Sequence, residues 1–163
     1  MAPYTPILAT LGYVMSPDGA SVLLVHRNAR PDDLHFGKYN GLGGKVEADE
    51  DIVAGMRREI LEEAGIVCET LVLRGTVSWP GFGKKDEDWF AMIFRIDSWS
   101  GTPFTSNAEG ALEWVPISTI PTLNMWDNDK LWIDMIFDPS PQTFHGIAPY
   151  KDGVMQSWNY TRM

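Results

Sequence analysis

Cysteine is nearly missing from this chain: Cys68 stands alone among 163 residues. A lone thiol closes no intrachain disulfide, so the fold must rest on its core, and a reducing compartment is the expected setting. Basic residues are also scarce, 13 Lys and Arg against 22 Asp and Glu, for a formal net charge of −9. That balance excludes the electrostatic footprint of a duplex nucleic-acid binder and the polybasic segment of a membrane anchor. No apolar run approaches the roughly 20 residues that span a bilayer, and the start of the chain lacks the pattern of a secretory signal. No repeat, low-complexity tract or linker interrupts the sequence, so residues 1–163 are expected to form a single domain. A cytoplasmic location, a monomer and a small-molecule partner are the expectations.

What the chain does have is a hydrophobic share of 44% with seven tryptophans and eight methionines, enough for a full core and for an aromatic pocket that stacks a flat ligand. Ile7 to Met15 is a strand-like run, Ser16-Pro17-Asp18-Gly19 turns it, and Val22 to Val25 returns as a hairpin arm. Thr10, mid-strand, has a hydroxyl that can bond a base if it lines a pocket. Asn28 to Lys38 reads as a surface loop, followed by a short extended segment from Tyr39 to Leu42. Further strands are expected over Leu71–Trp79, Trp89–Ile96 and Leu112–Val115. A second helix follows from Asp127 or Asn128 to Ile136. Phe144–Tyr150 and Met155–Tyr160 then flank Lys151-Asp152-Gly153 as a final hairpin. Strands around two helices predict an α/β fold, an α/β/α sandwich with a mixed, partly parallel sheet.

The stretch from Gly44 to Ile66, GKVEADEDIVAGMRREILEEAGI, is the most informative. Asp49 is the expected N-cap, Glu50 and Asp51 suit the positive end of the helix dipole, and Gly65 suits the C-terminal cap. Ile52, Val53, Met56, Ile60 and Ala64 share one apolar face at helical spacing. Glu59, Glu62 and Glu63 are related by i,i+3 and i,i+4 steps at the last turn, where acids oppose the dipole. Two such charges about 6 Å apart repel by roughly 3 kcal/mol at an effective dielectric near 20. An all-oxygen cluster of this kind suits Mg²⁺, with Mn²⁺ a second candidate, because the cation turns repulsion into binding. Arg58 is placed to orient one of the carboxylates.

The same residues fill the pattern G-x5-E-x7-R-E-U-x-E-E-x-G-U, with U apolar, at every position: Gly44, Glu50, Arg58, Glu59, Ile60, Glu62, Glu63, Gly65 and Ile66. By this motif the chain is identified as a member of the Nudix hydrolase superfamily. The resemblance implies a Nudix-type α/β/α sandwich and metal-dependent attack of water on a pyrophosphate linkage. It implies Glu59, Glu62 and Glu63 as metal ligands, the Gly43 carbonyl as a further one, and catalytic roles for Arg58, Glu59 and Glu62. It places Gly44 and Lys45 at the phosphates. Glu109, five residues before Trp114, falls where MutT-like members carry a further metal-binding or base glutamate.

Outside the motif the chain resembles the MutT-like oxidised-purine nucleoside triphosphatases, the 8-oxo-dGTP diphosphatase type. The likeness runs through Lys38-Tyr39-Asn40-Gly41-Leu42-Gly43-Gly44-Lys45, Asp97-Ser98, Gly101-Thr102-Pro103, and Met125-Trp126 with Asn128-Asp129 and Trp132. The likeness also takes in Leu24-Val25-His26-Arg27-Asn28 through Pro31 and His35, closer to bacterial 8-oxo-dGTP diphosphatases, and puts Arg27 with the substrate-binding residues. It implies Asn40 as a reader of the base, Trp126 as its stacking partner, Trp79 as a second wall, and Asn128 and Asp129 at the Watson–Crick edge. One departure stands out: a compared member has two aspartates where this chain has Asn128-Asp129, which bears on the choice among oxidised purines. Other Nudix substrates (a sugar nucleotide, a capped RNA end, a pterin triphosphate) and a non-catalytic nucleotide sensor are the alternatives. The intact motif speaks against the sensor.

Overall fold

Strand β1 (Ile7–Met15) is the spine of the sheet, and its alternation explains the two-sided core. Val14 and Gly12 face one side, where Gly12 has no Cβ to meet Met56 and Ile60, while Tyr13 and Leu11 face the other. The computed structural model describes residues 1–163. In chain order the remaining strands are β2 (Ser21–His26), β3 (Tyr39–Asn40), β4 (Leu42–Lys45), β5 (Val67–Trp79), β6 (Trp89–Ser100) and β7 (Ala111–Pro116). The C-terminal part adds β8 (Phe144–Ile147), β9 (Tyr150–Lys151), β10 (Val154–Met155) and β11 (Asn159–Arg162). The helices are α1 (Ile52–Ala64), α2 (Asp127–Trp132) and α3 (Asp134–Phe137).

The sheet runs β11-β8-β5-β6-β1-β2-β3, with β4 added to β1 and β7 to β2. β1 pairs β6 and β5 pairs β8 in parallel; the other pairings are antiparallel. The sheet is therefore mixed and partly parallel. α1 buries Met56, Ile60 and Ala64 against Val14, Leu23, Phe94 and Ile96 on one face. On the other, α2 and α3 bury Trp132, Ile133 and Ile136 against Tyr13, Ala91, Ile93 and Phe144.

Several local expectations are displaced. The N-cap of α1 is Asp51, not Asp49: Asp51 Oδ1 accepts from Val53 N at 2.9 Å and Ala54 N at 2.8 Å. Glu50 then lies outside the first turn and is drawn to Arg58 instead. β5 starts at Val67 rather than Leu71, because β6 extends to Ser100 and pairs with it through register shifts near Cys68–Leu71. The second helix divides where Ile136 N–H bonds Ile133 O, three residues back, so the chain tightens between α2 and α3. The last hairpin is really two: β8 pairs β11, and its tip is the small β9–β10 hairpin, turned by Asp152 and Gly153 at φ of 50° and 76°.

Candidate active site

The geometry begins with two glycines of the strand that leads into α1. A Cβ on Gly43 would collide with the Thr10 carbonyl, and one on Gly44 with the Glu59 carboxylate. Only glycine lets β4 lie so close to β1 and to the end of α1. Gly43 N–H donates to Glu63 Oε2 at 3.2 Å, fastening strand to helix. Arg58 gathers the acids: Nε and Nη2 engage both oxygens of Glu50, at 2.9 and 2.6 Å. Its Nη1 lies 3.0 Å from Glu59 Oε1 and 3.4 Å from Glu62 Oε2, and Nη2 also reaches the Lys45 carbonyl. This bidentate pairing holds Glu50 down at about 2.

Glu63 behaves in the opposite sense. Burial, then the negative charges of Glu109 and Glu59, push it up to about 9. Glu59 is raised as well, by burial first, with Arg58 pulling it back and Glu62 and Glu109 adding to the rise. Glu109 comes from the loop before β7 and is steadied there by Asn107. Asn107 Oδ1 accepts from Glu109 N at 2.9 Å, and Nδ2 donates to the Glu63 carbonyl at 3.0 Å. Arg27 Nη1 lies 3.4 Å from Glu109 Oε2 while its Nε bonds Asp33 Oδ2 at 2.7 Å. No three acidic or histidine side chains converge into a ready-made cage. The donors are nonetheless hard oxygens gathered on one side of the helix, and a divalent cation fits such a set.

Beside the acids opens a cavity of about 270 Å³, lined by Thr10, Arg27, Asn40, Gly43, Gly44 and Glu109. Trp79, Phe82, Trp126, Asp129 and Tyr150 form its aromatic end. Thr10 Oγ1 and Asn40 Oδ1 are buried without a hydrogen-bond partner. Burial pushes Asp129 up to about 7, with Lys38 opposing. Asn128 is fully buried off this wall: its Oδ1 accepts the indole N–H groups of Trp79 at 2.7 Å and Trp132 at 3.0 Å.

Known proteins resemble this chain in sequence and in fold. Residues 5–135 match the model of the NUDIX domain. The chain belongs to the Nudix family. An oxidized purine nucleoside triphosphate hydrolase of Danio rerio is 36% identical over 133 residues, 82% of this chain and 81% of that protein. Its namesake in Mus musculus is 36% identical over 116 residues, 71% of this chain and 72% of that one. Among solved structures, a MutT mutator protein from Bacillus halodurans superposes with a TM-score of 0.81 at 26% identity, covering 94% of this chain and 97% of that one.

Within this Nudix fold, sequence reasoning passed over several residues that the structure brings to the cavity. His35, Phe82, Trp89 and Tyr150 line it, and Asn107 braces Glu109. The first lies in a segment read as a surface loop and marked only as a point of family likeness, with no role given to it. Phe82 was hidden between Gly81 and Gly83, which read as turn residues. Lys45 stands at the exposed end of β4, its Nζ 5.6 Å from the Trp89 ring centroid. No helix is long and apolar enough to cross a membrane.

Proposed function

We propose that this protein hydrolyses oxidised purine nucleoside triphosphates such as 8-oxo-dGTP to the monophosphate and pyrophosphate, and so cleanses the cytoplasmic nucleotide pool. The observation that carries the reading is one cavity whose acidic end is made by Gly43, Gly44 and Glu109 beside the glutamates of α1, and whose other end is an aromatic pocket. The names of the Danio rerio and Mus musculus relatives support the same substrate class.

Glu59, Glu62, Glu63 and Glu109, with the Gly43 carbonyl, are the residues that would hold Mg²⁺ or, in its place, Mn²⁺. Such a cation, when bound, offsets the charge of the phosphates and lowers the pKa of a water it binds. Arg58 fixes Glu59 through Oε1, which leaves Oε2 to accept the proton of the attacking water. Glu109 is the second candidate for that proton, and the Arg27 contact sets its orientation. Arg27 and Lys45 meet the phosphates. Trp126 and Trp79 enclose the base, while Thr10, Asn40 and Asp129 present polar atoms to its edge. Asn128 acts on this pocket from behind, through the two indoles that it holds.

The test is a nucleotide panel of 8-oxo-dGTP, 2-hydroxy-dATP, dGTP, dATP, a sugar nucleotide and a capped RNA end, read as catalytic efficiency and product identity. The expected result is preference for the oxidised triphosphates with release of pyrophosphate. Preference for a sugar nucleotide or a capped end, or release of orthophosphate from the γ position, overturns it.

A further inference from the structure

Trp126 is held at more points than stacking requires. Its indole Nε1–H donates to His35 Nδ1 at 2.7 Å, with the two rings nearly perpendicular at 86°. Phe82 packs at 4.9 Å and 75°, and Lys38 Nζ lies 4.7 Å from the indole centroid. An imidazole can accept this N–H only while Nδ1 is unprotonated, with its own proton on Nε2. The site favours that form: burial first, then the nearby Arg27, draws His35 down to about 4.

His35 is itself fixed. Its backbone N–H donates to Asp33 Oδ1 at 3.1 Å, and Asp33 Oδ2 takes the Arg27 guanidinium at 2.7 Å. One carboxylate therefore ties Arg27, beside Glu109, to the residue that grips the aromatic wall. Without an acceptor at this point, the indole either leaves a donor unpaired or rotates about its side-chain torsions.

We propose that His35 is the positioning residue of the pocket: its Nδ1 accepts the Trp126 indole N–H and fixes the plane on which the purine stacks. This rests on the reading of Trp126 as the stacking partner of the base.

The test combines steady-state kinetics on 8-oxo-dGTP with NMR of the Trp126 indole N–H, a resonance identified by its absence from Trp126→Phe. His35→Phe keeps the ring but removes the acceptor, and should raise KM on the order of tenfold. Its kcat should stay within about twofold, since no reacting atom is touched. His35→Asn places an oxygen close to the former Nδ1 and should recover most of the KM. His35→Gln, whose oxygen falls near Nε2 instead, should behave like His35→Phe, and serves if that variant does not fold. The indole resonance should move in His35→Phe and His35→Gln and return in His35→Asn. In the Trp126→Phe background, which has no N–H to hold, His35→Phe should change KM by less than about twofold.

An active wild-type enzyme with unchanged KM and an unmoved resonance in His35→Phe overturns the role. So does an equal KM rise in the Trp126→Phe background, which would place His35 on the nucleotide itself. A wild-type protein inactive on oxidised purine triphosphates overturns the proposed function and this role with it.

Discussion

At the end of α1, burial and then the neighbouring carboxylates of Glu109 and Glu59 push Glu63 up to about 9. At the other end of the same cavity, the indole N–H groups of Trp79 and Trp126 each have an acceptor at 2.7 Å. The first region gathers like charges that a divalent cation would offset. In the second the stacking walls are held in place by the protein, and only polar atoms such as Asn40 Oδ1 are left without a partner. Chemistry that handles several phosphate charges needs a site whose own charge only a metal can balance. Recognition of a flat base needs walls already in place, because ordering them on binding would cost affinity.

The largest expected break in this comparison is on the acidic side. Glu62→Gln should lower kcat on the order of 100-fold or more, while circular dichroism and the unfolding midpoint stay near wild type. Chelation should abolish the wild-type rate and Mg²⁺ restore it. Full turnover in excess chelator would show that the crowded carboxylates serve some other end.

On the aromatic side, effects should be smaller and should divide by residue. Trp126→Ala should weaken oxidised and normal triphosphates alike, since every base stacks. Asn40→Ala should narrow the gap between 8-oxo-dGTP and dGTP by about tenfold, because Asn40 carries a buried oxygen free to meet a base. Efficiencies for both nucleotides that fall in the same ratio would remove Asn40 from base reading.

Stability should respond to the two regions with opposite signs. Asn128→Leu strands two buried indole donors and should cost on the order of 2 kcal/mol or more in urea unfolding. Glu63→Gln, in chelator, should raise the unfolding midpoint even as it removes activity. The sign follows from linkage: folded Glu63 keeps its proton to about pH 9, whereas the ordinary value is 4.5. Across that window the native state binds the extra proton, so stability falls as pH rises, and the glutamine variant escapes that fall. Glu59 and Asp129, also raised, leave a residual slope. A Glu63→Gln midpoint below wild type at pH 8 would mean that the carboxylate is not strained.

The acidic end was legible because most of its residues belong to one helix and the strand before it, while Glu109, from the loop before β7, was reached through family likeness. A helix has a fixed pitch, so the spacing of Glu59, Glu62 and Glu63 converts directly into geometry. Even there the cap was misplaced, since Asp49 and Asp51 are chemically equal candidates and only the backbone path chose the latter. The aromatic end draws on separate segments: the β2–β3 loop for His35, β3 for Asn40, β5 for Trp79 and the loop after it for Phe82, and the start of α2 for Trp126 and Asp129. No periodicity links such positions, and those reached from sequence were reached through family likeness.

By itself, the sequence determined the alternation that builds the two-sided sheet, the Nudix helix with its acids, and the lack of an intrachain disulfide as a source of order. Tertiary structure alone decided which polar groups answer which. It turned Asn128 from the cavity toward Trp79, set His35 against Trp126, and tied Asn107 to the Glu63 carbonyl. The physical reason is that a hydrogen bond depends on distances of about 3 Å between atoms that may be many residues apart. Local spacing sets such distances within one helix or turn; across the fold, only the packing of the sheet against its helices sets them.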